Sequence, residues 1–379
     1  MFNASISQLL NALASGDGWR SWRPSDPPFP ATRGEVCADD GELSLGRRSA
    51  AQVHPMCLAR DDLISNAIRR KGRWYDCGKF VRLWHELDGA RFGGRRHLGA
   101  GEGPEGVLVE VGANIGACTL ELLLRTKARI VAFEPSPSNL FYLTHTLQLA
   151  AQRDPAIAER VVVFPIGVGD APRRLPLFTQ RGNLGNTVVG QALSDDCVGR
   201  RAGASCLNRT MAAGAKGEVA VLPLDTIFPR GMGGVRLVKL DVQGFECRVL
   251  QGASRALARA VPPVGVVAAE VAPTWLYGQC CRPSFLVHLL SRIGSSGAGG
   301  GGNGGGGIDA AGGGNYGYNV TCTKRVGPDY TCLGRPPRGT SLANANELRE
   351  TPPTPTHLAT LRRKMATCER RRKVATKLF

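Results

Sequence analysis

Five short apolar runs without polar alternation lie between residues 107 and 293, and they constrain the fold more than any other feature of the chain. They are "GVLVEVG", "RIVAFEP", "RVVVFPIGVGD", "VRLVKLD" and "VGVVAAEV". Four of them lead into segments of helical periodicity: "ACTLELLLRT", "PSNLFYLTHTLQLAAQ", "GFECRVLQGASRALARA" and "SFLVHLLSRI". A strand that does not alternate is buried on both faces, and a strand–helix succession makes its neighbours parallel. The expected fold class is therefore α/β, with a doubly wound, mostly parallel sheet over residues 107–293.

The flanks read differently. Residues 1–57 hold one short amphipathic pattern, Ile6 to Ala14, and the Pro-rich "RPSDPPFP"; a loose leader is expected. Residues 58–106 predict two helices with a turn near Gly72, packing on the core. The tract 294–314 is mostly Gly, forms no core, and reads as a flexible insertion. Residues 315–335 predict two strands around Gly327-Pro328, an antiparallel hairpin that completes the sheet with Cys322 facing Cys332. Residues 336–379 read as a basic tail, with one helix from Leu358 to Lys373.

The net charge of +17 suits an anionic partner, but much of the excess sits near the C-terminus. An enzyme with basic ends is favoured over a nucleic-acid binder. Twelve cysteines and acceptor sequons at Asn3, Asn208 and Asn319 lean towards an oxidising secretory lumen. The start, "MFNASISQLLNALASGDGW", lacks the basic end and apolar core of a signal peptide, so the compartment is left open. No run is long and apolar enough to predict a transmembrane span. Cys118 and Cys247 fall in apolar helical stretches and are expected to be buried thiols. The histidines and cysteines show no metal-ligand spacing, and no metal is expected.

The chemistry is expected at the strand ends. Ligands of an open parallel sheet bind outside the carboxyl ends of the strands. The turn after the first strand carries Glu110, Gly112, Asn114 and Gly116. The two glycines are expected to let a ligand approach the backbone and the helix N-terminus. The spacing E-x-G-x-x-x-G lacks the close glycine pair of a dinucleotide loop and suits S-adenosyl-L-methionine. Glu134 closes the second strand, where a carboxylate accepts from both ribose hydroxyls of an adenosine. Asp170, after the third strand, is placed to read an adenine amine.

"VRLVKLDVQGFECRVLQGA" closely resembles the signature of FkbM-type methyltransferases, Lys-x-Asp-x-x-Gly-x-Glu before "vLxGa". The matching positions are Lys239, Asp241, Gly244 and Glu246, then Leu250 and Gly252. "EVGANIG", "FEP" and "LDTI" are similar to that family in the same order, over roughly residues 58–290. One departure stands out: the family usually carries Glu where this chain has Gln243. The resemblance implies a Rossmann-like class I S-adenosylmethionine-dependent methyltransferase, usually acting on oxygen of natural products or sugars. The expected reaction is O-methylation of a hydroxyl on a glycan or small molecule. Asp241 is the first candidate for the base and Glu270, ending the fifth strand, the second; Glu246 is expected to orient Lys239 or the acceptor. The alternatives are a nucleic-acid methyltransferase, disfavoured by Asp241-Val242-Gln243-Gly244 where base-amine enzymes often need an Asn/Asp-Pro-Pro-aromatic loop, and a cofactor-binding module without turnover.

Overall fold

The computed structural model describes residues 21–38, 42–44, 53–92 apart from 75, and 106–190 apart from 181. It further describes 217–292 apart from 261–262, 273–274, 277–278, 280 and 282, then 319–324 and 330–335. The expected Gly-rich insertion at 294–314, the basic tail at 336–379, Cys197, Cys206, Asn3 and Asn208 lie outside the described residues.

The chain enters through a small antiparallel ribbon, β1 (Glu42–Ser44) and β2 (Val53–Pro55). Helix α1 (Leu63–Lys71) starts because Asp62 caps it, accepting from the Ser65 N–H at 2.7 Å. It stops at Gly72, which takes a left-handed conformation. Helix α2 (Cys77–Phe92) follows.

From there strands and helices alternate. β3 (Gly106–Val111), α3 (Ala117–Arg125), β4 (Ala128–Phe133), α4 (Pro137–Arg153), α5 (Ala156–Arg160) and β5 (Val161–Phe164) form the first half. A second sheet then interrupts: β6 (Gly167–Val168), β7 (Arg173–Gln180), β8 (Asn183–Val189) and β9 (Glu218–Leu222), in the order β6-β9-β7-β8. The main chain path resumes with α6 (Leu224–Ile227), β10 (Val235–Leu240), α7 (Glu246–Gln251), α8 (Ser254–Ala258), β11 (Val266–Val271) and α9 (Pro283–Arg292). A hairpin, β12 (Asn319–Lys324) and β13 (Tyr330–Arg335), closes it.

The main sheet has seven strands in the order β12-β13-β11-β10-β3-β4-β5. β11, β10, β3, β4 and β5 run parallel, while β13 is antiparallel to both β11 and β12. Two apolar clusters cover its faces. One gathers α6–α9 and the second sheet around Phe133, Phe164 and Val238; the other gathers α1–α4 around Trp84, Leu108 and Leu143. All six residues of β10 are buried, Arg236 and Lys239 included, which is why that strand shows no polar alternation.

Four expectations need correction. Residues 21–38 are not a loose leader: Trp22 is 4% exposed and exchanges backbone hydrogen bonds with Val163 at 2.7 and 2.8 Å, lengthening the edge of the sheet beside β5. A bulky indole among Pro residues reads as disorder in sequence but buries a large apolar surface here. The expected single helix over 244–260 divides into α7 and α8 at Gly252, where a Cβ would lie 1.9 Å from the Gly169 carbonyl oxygen. No element is expected between the third and fourth apolar runs, yet β7, β8 and β9 lie there, and the mostly half-buried β7 and β8 give no clean alternation. Finally, Cys118 and Cys247 are not free thiols. They form disulfides with Cys77 and Cys281, beside Cys37–Cys57 and the expected Cys322–Cys332.

Cys77–Cys118 ties the start of α2 to the first turn of α3 across a separation of 41 residues. Replacing both cysteines by Ser is expected to lower the unfolding free energy by about 3–4 kcal/mol. Urea unfolding of the two proteins under non-reducing conditions checks this, and the difference is expected to vanish in reductant.

Candidate active site

The strand order reverses between β3 and β10, so the loops that leave these two strands diverge and open a crevice at their carboxyl ends. A cleft of about 440 Å³ lies there. Its lining comes from the β3–α3 loop, the ends of β4, β10 and β11, the turn before α2, and β8.

The β3–α3 loop is bent by three left-handed residues: Gly112 at φ 87°, Asn114 at φ 55° and Gly116 at φ 86°. The reason for the glycines differs from the expected one. A Cβ on Gly112 would lie 1.9 Å from the Asp241 carbonyl oxygen, so the bare residue lets two loops touch, and Gly112 itself lines the cleft. A Cβ on Gly116 would lie 2.6 Å from a methyl of Leu143, and Gly116 is not part of the cleft wall. Gly112→Ala is expected to cost about 3 kcal/mol through overpacking and a disfavoured φ, measured as a shift of the urea midpoint.

Under the loop sits a buried ion pair. Lys239 on β10 is in register with Glu110 on β3, and their charged atoms are 3.1 Å apart. Thr119 donates to the other Glu110 oxygen at 2.6 Å, and Glu110 is fully buried. Glu110 is not in the cleft wall, and the expectation that it touches the cofactor does not hold: its carboxylate serves Lys239. The lysine donates to the Gly112 carbonyl at 3.2 Å and lies 3.6 Å from Asp241 Oδ2. Burial opposes its charge, but Glu110 and then Asp241 outweigh burial and hold the ammonium above the usual lysine range.

Glu134, one residue beyond β4, faces the cleft although it is only 4% exposed. One oxygen accepts from the Asn114 N–H at 2.8 Å. The other accepts from the Ser136 N–H at 2.9 Å and from the Asn139 amide at 3.2 Å. Burial pushes its carboxyl up to about 7, against these hydrogen bonds and the Lys239 charge.

At the opposite wall, Asp241, Gln243 and Glu270 converge. The Gln243 amide donates to Asp241 Oδ1 at 3.0 Å and to Glu270 Oε2 at 3.3 Å. Glu246 heads α7 but does not reach Lys239 or the cleft wall. It folds back to accept from the Val242 N–H at 3.0 Å, bracing the β10–α7 loop, and burial pushes its carboxyl up to about 7. Asp170 is also turned away from the cleft, because Arg173 and Arg248 hold its two oxygens at 2.8 and 3.2 Å. Ile166 and Val168 take the wall position expected of it.

Sequence reasoning missed a second set of lining residues: Trp74, Asp76, Asn139, Asn183, Asn186 and Trp275. The amide-rich "GNLGNT" was the available signal for β8, and Trp275 stands four residues beyond β11. Asn114 Oδ1 and Asn139 Oδ1 are buried in this wall and have no hydrogen-bond partner among the described residues. Together with Glu134 they form a cluster of acceptors awaiting donors. That set fits the ribose hydroxyls and the positive sulfonium of S-adenosylmethionine, and it does not fit an anionic group.

Residues 110–292 match the family model described as the methyltransferase FkbM domain. Among solved structures, a methyltransferase FkbM from Methylobacillus flagellatus KT is similar at 18% identity and TM-score 0.35, covering 67% of this chain and 50% of that one. This chain thus spans half the length of that protein. A precorrin-6y C5,15-methyltransferase from Geobacter metallireducens GS-15 is similar at 10% identity and TM-score 0.32, covering 74% and 92%. The N-terminal domain of EvdMO1, crystallised with SAH and D-fucose, is similar at 12% identity and TM-score 0.33, covering 70% and 84%. The comparison with curated proteins found no match.

Proposed function

We propose that this chain, whose residues 110–292 match the methyltransferase FkbM domain, uses S-adenosylmethionine to methylate a hydroxyl oxygen on an uncharged glycan or small molecule. The observation that carries this reading is the convergence of Asp241 and Glu270 on the cleft, joined by Gln243. The cofactor supplies a methyl already activated on a sulfonium, so the protein's work is to align an oxygen and take its proton.

In this reading Glu134, Asn114 and Asn139 hold the cofactor's adenosine end through its hydroxyls. Asp241 would accept the proton of the acceptor hydroxyl, and the cofactor would supply the methyl, its carbon–sulfur bond breaking to leave S-adenosylhomocysteine. Lys239, buried beneath at 3.6 Å, keeps Asp241 oriented. Glu270 accepts from a neighbouring hydroxyl of the acceptor and orients it. Trp74, Trp275, Asn183 and Asn186 give the acceptor an aromatic and amide surface, which suits the apolar face and hydroxyls of a sugar ring.

The charge of the cleft separates this reading from the nucleic-acid alternative. Its described lining holds four carboxylates, Asp76, Glu134, Asp241 and Glu270, and one cation, the ion-paired Lys239. A phosphate backbone would be repelled there, whatever the charge of the chain as a whole. The four disulfides among the described residues favour action in an oxidising compartment. Among the described residues no helix is long and apolar enough to cross a membrane.

The test is transfer of labelled methyl from S-adenosylmethionine to a panel of neutral sugars, glycosides and phenols, with RNA and DNA as the contrasting arm. Methyl ethers on a neutral hydroxyl are the expected product. Transfer to nucleic acid alone would overturn the reading.

A further inference from the structure

We propose that Gln243 is a positioning residue that holds Asp241 and Glu270 together as a pair of accepting carboxylates facing the acceptor. The proposal rests on the reading of Asp241 as the base but is tested separately from it. Carboxylate oxygens facing an amide in this way demand its NH2 group rather than its carbonyl, so the orientation of Gln243 follows from its partners. Its two N–H bonds serve two residues on different strands, at 3.0 Å to Asp241 and 3.3 Å to Glu270.

The backbone is arranged for this. Gln243 sits at φ 53°, a conformation that a residue with a side chain seldom adopts. It cannot relax, because the next residue, Gly244 at φ 95°, is wedged against the chain beyond β11: a Cβ there would lie 2.4 Å from the Trp275 carbonyl oxygen. The strained turn thus carries the amide to the place between the two acids.

The electrostatics explain why an amide belongs there. Acids approach the pair from several elements, Glu110 from β3, Glu246 from α7 and Asp76 before α2, with Glu134 across the cleft; among the described residues Lys239 from β10 is paired with Glu110 and lies 3.6 Å from Asp241, and Lys79 is paired with Asp76. Two carboxylates close together raise each other's proton affinity, and a protonated base takes no proton from a substrate. An amide donates one N–H to each and adds no charge. A carboxylate at 243 would remove both donors and add a third acid.

The test is a carbon-13 NMR titration of the whole chain labelled at the Asp and Glu carboxyls, with Asp241 and Glu270 assigned through D241N and E270Q. In Gln243→Glu, the highest midpoint among these carboxyls is expected to rise by about one pH unit. Gln243→Asn keeps a residue that tolerates the turn but is one methylene too short to span both acids; a smaller rise is expected. Affinity for S-adenosylhomocysteine within threefold of wild type would show that each variant retains the folded site, and Gln243→Asn alone decides if Gln243→Glu does not fold. Wild-type midpoints in a folded variant would overturn the proposal. If the midpoints move but D241N retains turnover, the bridge stands and the assignment of the base falls. Wild-type midpoints with D241N inactive would give the reverse.

Discussion

Asp241→Asn is expected to lower kcat by about 10²–10⁴-fold on whichever neutral acceptor the wild type methylates, while leaving the affinity for S-adenosylhomocysteine within about threefold. The substitution is close to isosteric. Asn keeps an oxygen to accept from Gln243, and the carbonyl of residue 241, which packs against Gly112, is untouched. Lys239 keeps its partner Glu110 at 3.1 Å, so no buried charge is stranded. What disappears is the proton acceptor. Glu270→Gln, by comparison, is expected to weaken acceptor binding more than kcat, since Glu270 orients a neighbouring hydroxyl of the acceptor. An Asp241→Asn enzyme that turns over at the wild-type rate would remove Asp241 from the chemistry. Intact cofactor binding by a wild-type protein that transfers to no acceptor would favour the module without turnover.

Much of this site is legible in sequence where the signal is local. The parallel sheet shows because β3, β4, β5, β10 and β11 are covered on both faces, which makes each a mainly apolar run without polar alternation. Glu134 shows because it stands at the end of such a run. The failures are of another kind: they depend on partners far along the chain. Gly112 was expected to admit a ligand, but its neighbour is Asp241, which only the β3–β10 register brings near. Glu110 looked like a cleft residue until the same register set Lys239 beside it. Cys118 has the periodicity of a buried residue, and nothing local distinguishes a thiol from half of a disulfide. β8 escaped notice because a half-buried strand with polar residues facing a cleft lacks the alternation that identifies strands. The Asp170 error was avoidable, since Arg173 lies three residues away and close enough to claim it.

The last expectation concerns Glu134, where binding and stability pull in opposite directions. Its folded carboxyl titrates at about 7, pushed up by burial, whereas the unfolded value is 4.5. Between those values the folded state holds a proton that the unfolded state has released. Raising the pH through this window therefore removes stability, on the order of 3 kcal/mol from this residue between pH 5 and 8. Glu246, raised in the same direction, adds a similar loss. Glu134→Gln cannot ionise, so the cofactor-free variant is expected to show roughly half of this pH dependence. Its binding should suffer. Hydrogen bonds to a charged partner contribute about 1.5–3 kcal/mol each, and the amide also sets an N–H against the donor from either Asn114 or Ser136. A loss of about 100-fold in affinity for S-adenosylhomocysteine is expected. The pH dependence of binding distinguishes this role from simple packing. Ligand hydroxyls that donate to Glu134 favour its charged form, so wild-type affinity must rise as the pH rises towards 7, with a proton released on binding. In Glu134→Gln the affinity is expected to be flat over the same range. Calorimetry in buffers of different ionisation enthalpy measures the released proton directly, and a wild-type binding curve that is level from pH 5.5 to 8 would take Glu134 out of the cofactor site.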